Sequence, residues 1–195
     1  MPLITLQSAK GYGFGGATTA AVGDFESIAT VNVGSGGAAD IEFTSIPATY
    51  KHLQIRVLCR GTDASDNKNI TFRFNSDTGT NYTFHNFQGD GTSASVATGT
   101  SQTSYVPNRM PAATAASNVF GAVIIDILDY KDTNKYKTVR GNSGFDTNNA
   151  STGAVVRLNS GLWLNTSAIT SIKGIMNSGN IAQHSQFALY GIRSA

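Results

Sequence analysis

The chain has 195 residues, of which 14 are lysine or arginine and 12 aspartate or glutamate. That length holds one large domain with a real core, and the near-neutral balance leaves no basic field for nucleic acid. No run of about 18 apolar residues exists to cross a membrane, and the low charge with many strand-formers sets it apart from disordered chains.

Leu3, Ile4 and Leu6 open the chain, Gly11-Tyr12-Gly13-Phe14 alternates the smallest side chain with aromatics, and an Ala/Thr/Gly stretch runs from Gly16 to Gly23. A segment this short cannot bury such side chains against itself, so it is expected to lie on the body of the protein or on a neighbouring chain. Residues 1–24 therefore read as an extended docking arm and linker, with Leu3, Ile4, Leu6, Tyr12 and Phe14 as the docking side chains. Lys10 follows the apolar residues instead of preceding them, unlike a secretion signal.

From Phe25 onward the period is two. Ile28, Thr30 and Asn32 alternate with Ala29, Val31 and Val33, Ile41 and Phe43 with Glu42 and Thr44, and Ile70, Phe72 and Phe74 with Thr71 and Arg73. Such alternation marks strands with one face in a core. Leu53, Ile55, Val57 and Cys59 place the single cysteine on a buried strand face, with no partner for an internal disulfide. Further strands are expected at Tyr82–Phe87, Ser101–Val106, Lys135–Arg140, Ala154–Leu158, Ile169–Met176 and Phe187–Ile192. The dense run Val119–Leu128 predicts a central strand covered on both faces, and Ile124–Arg140 a hairpin with Asp132, Thr133 and Asn134 at its tip. Asn-Ser-Gly recurs at 142–144, 159–161 and 177–179 and reads each time as a turn, since Asn and Gly tolerate positive φ. Gly89–Ser117, poor in apolar anchors and broken by Pro107 and Pro111, predicts long loops around one short strand, with Tyr105, Asn108 and Arg109 as candidate outward or interface residues. Helix should be minor. The expected fold is all-β: an antiparallel two-sheet β-sandwich, jelly-roll-like, over residues 25–195 and preceded by the arm.

The chemistry-bearing residues form no recognisable constellation. His52, His85 and His184 lack metal-ligand spacing. Asp63 and Asp66 fall short of a calcium loop, and aspartates such as Asp77, Asp90 and Asp132 suit turns. Glu26 and Glu42 are the two glutamates, with nothing to mark a glycosidase pair. No serine occupies a nucleophile elbow, and there is no phosphate-cradling loop. Four Asn-x-Ser/Thr triplets are expected by chance in a chain this rich in those residues. Trp163 and Tyr105 are the aromatics weighed for saccharide stacking, against a core role for each.

Several stretches carry a resemblance: Ser27-Ile-Ala-Thr-Val with Gly34-Ser-Gly-Gly37, Phe43-Thr-Ser-Ile-Pro-Ala-Thr-Tyr-Lys-His-Leu-Gln-Ile-Arg56, Phe74-Asn-Ser-Asp-Thr-Gly-Thr-Asn-Tyr82, Ile125-Asp-Ile-Leu-Asp-Tyr130, Thr133-Asn-Lys-Tyr-Lys-Thr138, Ser167-Ala-Ile-Thr-Ser-Ile172 and Phe187-Ala-Leu-Tyr-Gly-Ile192. With the opening Ile4-Thr-Leu-Gln-Ser-Ala-Lys-Gly-Tyr-Gly-Phe14, this pattern resembles small virion proteins of tailed phages that infect aquatic bacteria such as cyanobacteria. The resemblance implies a β-sandwich in many copies per particle, with no enzymatic motif and no cofactor, in keeping with the absence of a basic field, a membrane-crossing run and a metal-ligand spacing read above. It points to a capsid decoration or cement protein on the phage head, bound through residues 2–16 to the major capsid protein or to sibling subunits, with a homotrimer as the unit. The alternative is a tail-fibre or receptor-binding module whose 89–117 segment meets host surface glycan. A polysaccharide-cleaving enzyme, the third class, would need two carboxylates about 5–9.5 Å apart in a cleft.

Overall fold

A computed structural model describes residues 24–147 and 154–193. The described residues form twelve strands and no helix: β1 (Phe25–Asn32), β2 (Asp40–Phe43), β3 (His52–Cys59), β4 (Asn67–Phe74), β5 (Tyr82–Gly89), β6 (Ala94–Gln102), β7 (Tyr105–Pro111), β8 (Gly121–Ile127), β9 (Lys137–Phe145), β10 (Val155–Trp163), β11 (Ile172–Met176) and β12 (Gln186–Ile192). They build an eight-stranded sheet in the order β1-β12-β3-β8-β9-β10-β5-β6 and a four-stranded sheet in the order β2-β11-β4-β7. Every pairing between named strands is antiparallel.

Setting aside the two hairpins β5–β6 and β9–β10 leaves eight strands in two sheets of four, β1-β12-β3-β8 facing β2-β11-β4-β7. The chain crosses between these sheets at each step except β4 to β7, which is the jelly-roll path expected from the sequence. The two hairpins are insertions in that path. They pair edge to edge, β9 onto β8 and β5 onto β10, and widen one sheet from four strands to eight.

The core lies between the sheets. Leu53, Ile55 and Val57 of β3, Val123, Ile125 and Ile127 of β8, and Phe187 and Leu189 of β12 point inward from the wide sheet, meeting Ile70, Phe72 and Phe74 of β4 and Ile172 of β11. Full burial of such side chains stabilises by about 1.5–3 kcal/mol each. Cys59 is among them, fully buried, and burial pushes its thiol up to about 12. The β8–β9 connection contains the predicted hairpin tip, where Asp132 Oδ1 accepts the Asn134 N–H at 2.8 Å.

Several expectations are corrected. Gly89–Ser117 is not mainly loop: it contains β6 and β7, nine and seven residues long. In β6 nearly every residue is exposed, so no apolar alternation could announce it. The prolines of β7 are tolerated because it is the edge strand of its sheet. Asn-Ser-Gly is a turn only at 177–179; at 142–144 and 159–161 it lies within β9 and β10. Glycine serves there as space: a Cβ on Gly161 would stand 2.3 Å from the Tyr105 ring. The dense strand β8 is covered on one face alone, with Ile124 44% exposed on the other.

Candidate functional site

Strand registers set the outer face of the wide sheet in rows. One row runs Arg56, Ile124, Asn142, Leu158, Phe87, Val96 across β3, β8, β9, β10, β5 and β6. The row above it contains Leu58, Ala122, Gly144, Val156, Gly89 and Ala94. Of these, Leu58, Phe87, Val96, Ile124, Val156 and Leu158 are large, apolar and exposed, Val96 at 79%. Period-two alternation places them all on the face away from the core. Scattered exposed apolar residues need no explanation, but a contiguous group on one sheet face marks an interaction surface.

The row below is polar: Gln54, Asp126, Arg140, Ser160, His85 and Thr98. Gln54 Nε2 donates to Asp126 Oδ1 at 2.8 Å and Arg56 Nε to Gln54 Oε1 at 2.8 Å. The surface between the two rows is concave, an open trough of about 840 Å³ lined by Phe87, Val96, Ile124 and Leu158, with Asp126, Arg140 and His85 along the polar side. An apolar floor with one polar margin suits an extended peptide or another protein surface better than a charged small molecule. Both inserted hairpins contribute to it. Arg56 stacks its guanidinium over Phe25 and Tyr190, 5.0 and 5.3 Å from their ring centres, and closes the apolar row on the β12 side.

At its far end the trough meets β6, the edge of the wide sheet. Its sequence, Ala-Ser-Val-Ala-Thr-Gly-Thr-Ser-Gln, carries no charge and no proline. Natural edge strands are usually shielded from pairing by such residues, by bulges or by a cover. Its register with β5 is regular from Ala94 to Gly99, and the bulge comes only beyond that, between Tyr82 and Phe84. Among the described residues nothing pairs with the free side of β6, so most of that edge is open to strand addition.

No family model matches the chain, and no curated protein is similar to it in sequence.

The candidate residues read from the sequence fall into three groups. Leu3, Ile4, Leu6, Tyr12 and Phe14 lie outside the described residues. Tyr105 is corrected: it is 1% exposed, its ring packed on Gly161 and its hydroxyl donating to Asn159 Oδ1 between the sheets. It is neither an outward residue nor available for stacking on sugar, because β7 turns it into the core. Asn108 and Arg109 also belong to β7, opposite Ile70 and Asn69; Arg109 is half-buried, and the Asn108 side chain lies outside the description.

Trp163 is likewise inside, 1% exposed, with Nε1 donating to Asp77 Oδ2 at 2.7 Å and its ring 5.7 Å from that of Phe74. Several carboxylates away from the trough serve the fold. Asp77 also accepts from Gly79 N–H and Asn81 Nδ2, fixing the turn at the root of the β5–β6 hairpin. Burial alone would raise its pKa, but the Asn81, Trp163 and Gly79 donors outweigh that and hold it below the usual carboxylate value. Asp129 binds Lys51 at 2.7 Å and Lys135 at 2.5 Å; hydrogen bonds from Lys135 and then Lys51 hold its carboxyl at about 2. Asp63 accepts from Ser178, and Asp66 from Thr114. Glu26 pairs with Arg193 and Glu42 with Lys173. His52 Nδ1 accepts the Asp129 N–H at 3.0 Å, His85 stands on the polar margin of the trough, and His184 sits in a positive-φ turn. Among the described residues, no three His, Cys, Asp or Glu side chains form a group that could hold a metal ion.

No sequence pattern announces the trough, because it forms from a few residues of each of five strands, β5, β6, β8, β9 and β10. The exposed members of Val119–Leu128 and Ala154–Leu158 were in view, but only the strand order shows that they adjoin.

Proposed function

We propose that this chain is a non-enzymatic structural subunit of a tailed-phage virion, a decoration or cement protein that stands on the head surface and joins major capsid protein and sibling subunits through its amino-terminal arm. The observation that carries the assembly role is the apolar outer face of the eight-stranded sheet, where Leu58, Phe87, Val96, Ile124, Val156 and Leu158 lie together and exposed. A surface of that kind is stable in many copies at high local density only when a partner covers it. The jelly roll supplies a rigid body, the low charge permits close packing of identical subunits, and the phage assignment draws on the stretches that resemble virion proteins. The engagement of the carboxylates in turns and ion pairs fits a body built for structure.

Binding to particles tests this reading. The chain lacking residues 2–16 should keep its β-sandwich circular dichroism and lose binding to particles stripped of the protein. Retention of full binding would overturn the arm as the docking element.

A tail-fibre or receptor-binding role is the second reading, favoured by one observation: Phe87, 53% exposed, lies in the trough beside His85 on its polar margin, the pairing of an aromatic face with hydrogen-bonding groups that sugars use. Specific signal on an array of bacterial surface glycans, lost in Phe87→Ser, would establish it. A pure cement protein gives none.

A further inference from the structure

We infer that the trough and the β6 edge are the acceptor site for residues 4–14 of a second copy of this chain, which adds as an extended strand beside β6. The inference rests on the reading of residues 2–16 as a docking arm and names what the arm docks on.

Three observations lead there. The β6 edge presents an uncharged, proline-free row of main-chain groups, regular against β5 from Ala94 to Gly99, the feature that strand addition uses. The trough beside it is floored by Phe87, Val96, Ile124 and Leu158 and so takes apolar side chains. In the arm, Ile4, Leu6, Tyr12 and Phe14 all occupy even positions, so an extended strand turns all four to one face. Main-chain pairing on β6 would direct that face over Val96 and into the trough, and the eleven residues from 4 to 14 match the nine of β6 in length.

The topology favours a second copy over the chain's own arm. The described chain starts at Asp24, beside β1, and β1 and β6 are the opposite edges of the wide sheet. Seven inter-strand spacings separate them, about 34 Å along the sheet. The ten residue steps from Asp24 back to Phe14 span about 33–36 Å when fully extended, and a strand added beyond β6 lies one spacing further, about 38 Å from β1, so a chain's own Phe14 falls short of its own β6 and its Tyr12 reaches it only with the linker drawn taut. With donor and acceptor on opposite edges, copies join head to tail, and such an interface gives a closed ring when the rotation per subunit permits.

The test uses the full chain. Leu6→Cys and Val96→Cys are made separately, mixed, and treated with a short bis-maleimide that tolerates an offset of one residue; native Cys59 is fully buried and stays silent. The expected result is a two-chain product containing one of each variant. A product formed only within a doubly substituted chain, with none between the mixed single variants, would assign the trough to the chain's own arm and overturn the inference. So would no product at all. In parallel, Val96→Lys and Leu158→Lys, both at exposed sites, should reduce the sedimenting mass from an oligomer to one chain while the β-sheet circular dichroism holds; an unchanged oligomer contradicts the proposal. Arm-dependent particle binding without the two-chain product would leave the virion reading standing and remove this inference. A two-chain product from a protein that binds no particle would do the reverse.

Discussion

Gly161 and Tyr105 show how much a single position decides. The Tyr105 ring fills the space a Cβ would need, 2.3 Å from it, and Oδ1 of Asn159, on the same strand as Gly161, accepts the hydrogen bond from the tyrosine hydroxyl. Gly161→Ala should destabilise by about 1–3 kcal/mol through overpacking, measured as a shift in urea midpoint. Gly34→Ala, where a Cβ meets nothing within 4 Å, should leave the midpoint nearly in place. Cys59 gives a second check: fully buried, with its thiol pushed to about 12, it should resist thiol reagents at pH 8 in the native chain and react within seconds in urea. Asp129 sets a pH dependence. Its carboxyl is held at about 2 by Lys135 and Lys51, so its stabilising contribution is complete above the ordinary carboxylate pKa and is lost as pH falls from about 4 through 2. Asp129→Asn should flatten the acid-unfolding profile in that window. A profile unchanged in slope would show that the ion pairs contribute nothing.

At the scale of elements, the inserted hairpins are held at their roots by polar side chains. Asp77 ties the turn before β5 to Trp163 at the end of β10. Lys137, fully buried at the start of β9, donates from Nζ to the carbonyls of Asp132, Lys135 and Thr166 at 2.6, 3.0 and 2.9 Å. Asp77→Ala leaves the buried indole N–H without its acceptor and should cost about 1–3 kcal/mol, read by denaturant unfolding. The strands of the jelly-roll body other than β7 were legible because one face of each turns toward the core, as in β3 and β4; Pro107 and Pro111 hid β7, which tolerates them as an edge strand. β6 was not legible, because its residues meet water on both faces and carry no period. The glycines of β9 and β10 misled for a related reason: Asn-Ser-Gly looks the same whether glycine bends the chain or makes room for an aromatic ring. Nor does a sequence reveal which exposed residues of different strands adjoin, and the trough exists only through β9 and β5 joining β8 and β10 side by side.

The whole molecule is a jelly-roll body whose wide sheet is doubled by two hairpins and thereby gains an apolar outer face and an open edge. Hydrogen exchange should report both. In the chain lacking residues 2–16, the amides of β6 that face away from β5 should exchange quickly, and in the intact assembly they should be protected along with the arm. The decisive measurement is an image of the assembled particle at side-chain resolution. A cement role with arm exchange requires copies on the head surface at symmetry axes, with residues 4–14 of one copy lying as a strand beside β6 of the next. Copies on a tail collar or fibre, or a shell in which the outer sheet face stays bare, would contradict it.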